Sequence, residues 1–340
     1  MQKAEWTKYR LDFLFEARTS RETMRHKDTY FVRLEDEATG KTGIGECALF
    51  RGLSADDLPD YETRLDDACR VGRPNPDYSS QVFGFETARR NLHPLEDNAF
   101  TRGETGVPIN GLIWMGDKST MRQRIDEKLA KGFNVLKLKI GGINFDEETE
   151  LLRYIRSRYS ASDLTIRLDA NGSFSPADAL KRLKILSDFG IHSIEQPIKA
   201  GQESDMARIC SLSPIPIALD EELICRVPDP DLLSRIKPQY IILKPALCGG
   251  FSGADMWIKE AERLGIGWWA TSALESNIGL EAIARWLMRE HSEHALSLPQ
   301  GLGTGQLYGN NIPSPLELRG DKLYFNPEKS WNYSQLSWHR

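Results

Sequence analysis

A chain of 340 residues has the length of two ordinary domains, or of one barrel carrying an appendage. Hydrophobic residues make up 40% of it and charged residues 27%, a globular balance that excludes extended disorder, collagen-like repeats and coiled coil. The 44 Lys and Arg against 49 Asp and Glu leave a net charge of -5, without the basic excess that nucleic acid demands of a partner.

The amino terminus, MQKAEWTKYRLDFLF, scatters charges where a signal peptide would be apolar, and no run approaches 18 apolar residues, so neither secretion nor membrane insertion is expected. Alternating patterns over 9–15, 29–35 and 42–49 predict a strand meander. Ser54 with Asp57 signals a helix N-cap running to about Val71, and a second helix is expected over 80–92. From about Val107 short apolar runs alternate with amphipathic helices, the pattern of βα units on a parallel sheet. Candidate strands lie at 108–114, 134–140, 164–169, 193–195, 216–220, 240–244, 267–272 and 295–298. Eight is the TIM-barrel number. Ser175-Pro176 with Asp178 opens one intervening helix, Gly190 closes it, and Gly132 ends the helix before the second strand. A Gly- and Pro-containing stretch over 301–315 then leads to a strand-like tail at 321–325 that returns to the first domain. The division expected is 1–106, 107–305 and 306–340. The five cysteines, Cys47, Cys69, Cys210, Cys225 and Cys248, are odd in number and lack a C-x-x-C pair; a reducing cytoplasm suits them better than a disulfide framework or a zinc ribbon.

Barrels carry their chemistry at the carboxyl ends of the strands, and here those ends are polar. The second candidate strand ends in Lys137 and Lys139, the third in Asp169 with Asn171 beyond it, the fourth in Glu195, the fifth in Asp220 and the sixth in Lys244. The spacing is 26 residues from Asp169 to Glu195, 25 on to Asp220 and 24 on to Lys244, about one βα unit each. Neighbouring strand ends would bring three carboxylates together as hard oxygen ligands of the kind Mg²⁺ prefers. Strand alternation points Lys137 and Lys139 inward and turns Leu136 and Leu138 to the helices. Buried ammonium groups pair with acids or lose their proton readily, and a lysine beside other cations suits the role of a base.

The series K-x-K, D-x-N, E-Q-P, D-E and K-P, in this order and spacing, resembles the enolase superfamily, and the paired lysine sites resemble its muconate cycloisomerase-like subgroup. TSALESNIGLEAIARW over 271–286 and ILKPALCGG around Lys244 are similar to the o-succinylbenzoate synthase branch. The resemblance implies an α/β fold: a modified TIM barrel of (β/α)7β type, with an α+β capping domain formed by the amino-terminal segment and the carboxyl-terminal tail. It implies Mg²⁺, with Mn²⁺ as a substitute, held by Asp169, Glu195 and Asp220. It also implies Lys139 as the general base, Lys137 as the supporting lysine and Lys244 across the ring face in a cation–π role. The activity implied is syn elimination of water from a small anionic dicarboxylate.

Asn171, Glu221 and Gln196 are candidates for supporting contacts or for satisfying loop backbone. Thr271, Ser272 and Gly301 are candidate substrate contacts, the small residues of GLGTG over 301–305 leaving room for a substrate tail. The basic segment 18–28 reads as a mobile lid or as a solvated turn, and 49–54, with Phe50 and Arg51, as a second lid segment. His291 and His294 form H-x-x-H, for which surface exposure is the simpler reading. Dipeptide epimerases and N-acylamino acid racemases share the same catalytic core, but LPQGLGTG lacks the Asp-x-Asp with which the epimerases meet an ammonium. A noncatalytic barrel scaffold is the alternative from another class.

Overall fold

The computed structural model describes residues 2–18, 23–225 and 227–338. A long hairpin opens the chain, β1 (Gln2–Arg18) with β2 (Thr23–Asp36), and β3 (Thr42–Cys47) adds to its other edge. The hairpin runs in antiparallel register from Gln2 opposite Asp36 to Asp12 opposite His26, then shifts between Asp12 and Ala17. Two helices, α1 (Tyr61–Val71) and α2 (Ser79–Asn91), cover this sheet. Helix α2 lies against β3 because both are glycine there. A Cβ on Gly45 would stand 1.9 Å from the Gly84 carbonyl oxygen, and any larger residue forces the two backbones apart.

The second unit is a parallel sheet in the order β11-β10-β9-β8-β7-β6-β5, curled on itself. Its strands are β5 (Gly111–Ile113), β6 (Val135–Lys139), β7 (Thr165–Asp169), β8 (Ser193–Glu195), β9 (Ile217–Leu219), β10 (Tyr240–Leu243) and β11 (Gly267–Ala270). Between them run α3 (Lys118–Ala130), α4 (Phe145–Arg156), α5 (Pro176–Ser187), α6 (Glu203–Leu212), α7 (Leu232–Ile236) and α8 (Gly250–Leu264). Asp117, Asn144 and Ser175 each accept a backbone N–H at the start of their helices, with Pro176 at the first position of α5. The alternation expected for β6 is present: Leu136 and Leu138 join the core shared with the helices, while both lysines enter the barrel.

The eighth strand is not at 295–298. There the chain continues from α9 (Asn277–Glu290) into a short helix, α10 (Ser292–Ser297). The barrel is closed instead by Gln300, paired in parallel with Ile109, and Gly301, paired with Thr271. The Gln300 side chain completes the seam, its Oε1 accepting Ala270 N–H at 2.8 Å. A further small sheet, β12 (Leu316–Arg319), β13 (Lys322–Phe325) and β4 (Val107–Pro108), ties the tail to the start of the barrel. The coil after it reaches the capping sheet, where Trp331, Tyr333, Leu336 and Trp338 pack around Phe31 and Ile44, and Thr7 donates to the Ser337 carbonyl at 2.6 Å.

The helix expected from Ser54 starts at Tyr61 instead, and Ser54 Oγ accepts the Phe50 N–H at 2.9 Å, closing a turn. Of the segment read as a lid, 19–22 lies outside the described residues, while 23–28 is part of β2, with Lys27 buried. His291 and His294 are half-buried: His294 stacks on Trp268 with ring centroids 3.8 Å apart, and His291 meets Trp268 and Trp286 edge-on. All five cysteines are free. No helix among the described residues is long and apolar enough to cross a membrane.

Candidate active site

The carboxyl ends of β6 to β10 deliver the charged residues to one end of the barrel. Asp169 and Glu195 are paired in register at the ends of β7 and β8, and Lys139 lies opposite Asp169 at the end of β6. Asp220 follows β9 and Lys244 follows β10. Lys137 forms an ion pair with Glu195 and lies 3.2 Å from Asp169. Lys139 is 3.0 Å from Asp169 and donates to Asn171 Oδ1 at 2.8 Å. Lys244 is 2.6 Å from Asp220. The three carboxylates are almost wholly buried.

Burial pushes the Glu195 carboxyl up, to about 7, and Asp169 and Asp220 add to the push against the pull of Lys137. Burial acts on Asp169 in the same sense, but the ammonium groups of Lys137, Lys139 and Lys244 outweigh it and hold that carboxyl below the usual range. Burial disfavours the charge on Lys137, yet Asp169, Glu195 and Asp220 together raise its pKa; Asp220 and Glu221 do the same for Lys244. Glu195 Oε1 and Asp220 Oδ1 are buried without a hydrogen-bond partner. Two orphaned carboxylate oxygens among three buried carboxylates form a donor set suited to a hard divalent cation.

Supporting groups fix these ends. Asn171 and Gln196 hold left-handed backbone at φ 44° and 38°, a strained state for residues with a Cβ. Asn171 bridges Lys139 to Glu221 Oε1, its Nδ2 standing 3.1 Å from that oxygen. Gln196 Oε1 accepts the N–H groups of Asp220 and Glu222, holding the loop that carries the third carboxylate.

A cavity of about 290 Å³ opens above the charges and is lined by Lys137, Lys139, Lys244, Asp169, Asn171 and Glu221. Phe50, Arg51 and Leu53 reach it from the capping unit. Thr271, Ser272 and Gly301 line it as well, but the two hydroxyl protons are committed inside the protein. Thr271 donates to the Gly301 carbonyl at 3.0 Å, and Ser272 donates to Glu275. Gly301 is required for that closeness: its Cβ would stand 2.1 Å from Thr271 Oγ1. Sequence reasoning missed Asn110, Trp114 and Thr304. Trp114 lies just past β5, where the strand-end rule applied equally, and Lys139 Nζ is 5.8 Å from its ring centroid.

The cavity wall after β11 is clamped to the capping sheet. Glu46 of β3 accepts Ser276 N–H at 2.9 Å, Ser276 O–H at 2.6 Å and Gly279 N–H at 3.1 Å, capping α9 from outside. Lys27 lies in the same buried cluster; burial lowers its pKa, against the opposing charges of Glu46 and Glu275.

Residues 120–302 match the family model for the enolase C-terminal domain-like fold. The chain belongs to the enolase superfamily. Within it, an o-succinylbenzoate synthase from Desulfotalea psychrophila is 44% identical across 95% of this chain and 99% of its own. The crystal structure of MenC from the same organism superposes with a TM-score of 0.82 at 40% identity, covering 95% of this chain and 99% of that one. The dipeptide epimerase of Enterococcus faecalis V583, complexed with Mg and L-Leu-L-Tyr, has a TM-score of 0.80 at 18% identity over 95% and 96% of the two chains; that likeness is one of fold.

Proposed function

We propose that this chain is an o-succinylbenzoate synthase, a hydro-lyase converting 2-succinyl-6-hydroxy-2,4-cyclohexadiene-1-carboxylate to o-succinylbenzoate in menaquinone biosynthesis. The near full-length similarity to the Desulfotalea synthase carries this reading, and the cavity chemistry supports it. Asp169, Glu195 and Asp220 would hold Mg²⁺, or Mn²⁺ in its place. When bound, the cation supplies positive charge that stabilises the negative charge building on the substrate carboxylate as the adjacent proton leaves.

Lys139 is the base for that proton. Its amine lines the cavity at the end of β6, where it donates to Asn171 Oδ1 at 2.8 Å. It takes the proton, a ring double bond forms, the C–O bond breaks on the same face, and the new ammonium returns the proton to the departing hydroxide. Lys137 orients Glu195 and Asp169, and Lys244 presents its charge to the other side of the ring. The cation together with the charged Lys137 and Lys244 gives the cavity positive groups suited to a small anionic dicarboxylate. The cytoplasm suits a protein with five free cysteines.

The test is a Mg²⁺-dependent assay with the cyclohexadiene, run beside L-Ala-L/D-Glu and N-succinyl amino acids. Dehydration is expected. Isomerisation of an amino acid derivative without dehydration would move the protein to an epimerase or racemase role, and inactivity on every substrate would point to a noncatalytic scaffold.

A further inference from the structure

Lys27, on β2 of the capping sheet, is not a cavity residue. Its side chain is buried, and its Nζ has no hydrogen-bond partner among the described residues. Strand alternation puts Lys27, Thr29 and Phe31 on one face of β2, the face turned to the barrel. Phe31 packs with Ile278 of α9, and Thr29 O–H donates at 2.8 Å to Glu46, which caps α9 at Ser276. Lys27 therefore stands opposite the residues just before Ser276, and Glu46 and Glu275 are the two carboxylates whose charges act on it.

The two carboxylates are not equally provided for. Glu46 accepts N–H and O–H groups from Thr29, Ser276 and Gly279. Glu275 accepts the Ser272 hydroxyl at one oxygen, while the other, Oε1, is buried without a hydrogen-bond partner. A buried ammonium and a buried carboxylate, each short of a partner in one cluster, are costly alone and offset each other's charge. Burial pushes the Glu275 carboxyl up, and Lys27 is the opposing charge that pulls it back.

What Glu275 holds is part of the cavity wall. Ser272 Oγ, besides donating to Glu275, accepts Leu274 N–H at 2.9 Å and Glu275 N–H at 3.3 Å. Tyr308 O–H donates to the Leu274 carbonyl at 2.8 Å. This turn keeps Leu274 in left-handed backbone at φ 62°, a strained state that the surrounding contacts must impose on a leucine. Leu274 and Ser272 both line the cavity.

We propose that Lys27 is a positioning residue for the dehydration: its ammonium balances Glu275, and Glu275, through Ser272, holds the 272–275 turn in the strained form that shapes the cavity wall. The inference rests on the functional reading above for the reaction it serves, and on the geometry of the turn for the role itself.

The test is a double-mutant cycle of Lys27→Met and Glu275→Gln, the glutamine keeping an oxygen to which the Ser272 hydroxyl can donate. Dehydration kinetics in Mg²⁺ are compared with wild type at pH 6 and pH 8, with thermal unfolding to establish that each variant is folded. In Lys27→Met, Glu275 is left beside Glu46 without a counter-charge. KM should then rise about tenfold at pH 8 with kcat changed much less, because a displaced wall weakens substrate and transition state alike. The rise should shrink at pH 6, where a proton on Glu275 removes the uncompensated charge; Lys27, Glu46 and Tyr308 are the titratable groups that face it. Adding Glu275→Gln to Lys27→Met should bring KM back towards wild type and abolish the pH dependence of the defect. A space-filling role for Lys27 predicts a defect equal at both pH values that adds to that of Glu275→Gln. That result, or a KM for Lys27→Met within about twofold of wild type at pH 8, overturns the proposal.

Failure of the functional reading is separable. Hydrogen exchange at the Leu274 amide, which donates to Ser272, follows the turn without any substrate. It should quicken in Lys27→Met and slow again in the double variant. If wild type dehydrates nothing while exchange follows this cycle, the functional reading fails and the charge pair stands. If wild type dehydrates and exchange is indifferent to Lys27→Met, the function stands and the positioning role falls. Should Lys27→Met not fold, the double variant decides: folding restored by Glu275→Gln supports the pair, and failure of both overturns it.

Discussion

Lys139 and Lys244 enter the cavity from strands four places apart in the sheet, and the proposed reaction uses them differently. A base must exchange a proton, whereas a charge opposite the ring need only be positive. Lys139→Ala is therefore expected to abolish dehydration, by about 10³-fold or more, with the fold intact by circular dichroism. Lys244→Ala should be comparably severe, while Lys244→Arg should keep a measurable fraction of turnover because it keeps the charge. Steady-state kinetics on the three variants decide the assignment: substantial turnover in Lys139→Ala removes the base role, and Lys244→Arg as inactive as Lys244→Ala removes the pure charge role. These residues were legible in the sequence because the barrel repeat brings one strand end per βα unit to the same place. The hydroxyl commitments of Thr271 and Ser272 were not. Thr271 is spent on a carbonyl 30 residues away, and Ser272 on Glu275 in the buried cluster that Glu46 joins from 230 residues before Ser276.

At the scale of elements, periodicity found the seven hydrogen-bonded barrel strands and failed at the eighth. The run around 295–298 has helix formers in Ala295 and Leu296, and it follows α9 closely enough to make another turn of helix with Ala295 buried. Closure then needs only two residues, because the buried Gln300 amide supplies a ladder bond that a longer strand would otherwise make. The capping signal at Ser54 failed in a related way: its hydroxyl caps a turn that shapes the cavity wall instead of a helix. Glu46 is the converse, a strand residue that caps α9 across the domain boundary. Removing it leaves four buried donors unsatisfied, the Thr29 hydroxyl among them, and Lys27 without one of its two acidic neighbours. Glu46→Ala should cost about 3 kcal/mol of stability. Denaturant unfolding measures the loss, and hydrogen exchange should quicken at Ser276 and Gly279 while the amides of β7 stay protected; a uniform change across both would refute the local capping role.

For the molecule as a whole, three buried carboxylates at one end of a barrel are a liability that cation binding relieves. Glu195 shows the cost. Its pKa is raised to about 7 in the folded protein by burial and by its acidic neighbours, against an ordinary value of 4.5. A carboxyl with a raised folded pKa contributes stability that is fully present below the unfolded value, and that contribution is lost as pH rises through 4.5 towards 7. Without a metal, this group therefore makes the protein less stable at pH 8 than at pH 5. A divalent cation needs the ionised form, so protons compete with it over the same interval, and its stabilisation follows RT ln(1 + [L]/Kd). Adding Mg²⁺ at about 100 times its Kd should stabilise the fold by roughly 2.7 kcal/mol at pH 8, and by less at pH 6 at the same concentration. Calorimetric melting with and without EDTA checks this. Glu195→Gln should lose most of the Mg²⁺ effect and also the metal-free decline in stability between pH 5 and pH 8 that Glu195 causes. A Mg²⁺ effect of equal size at both pH values, unchanged in Glu195→Gln, would place the cation somewhere other than this carboxylate triad.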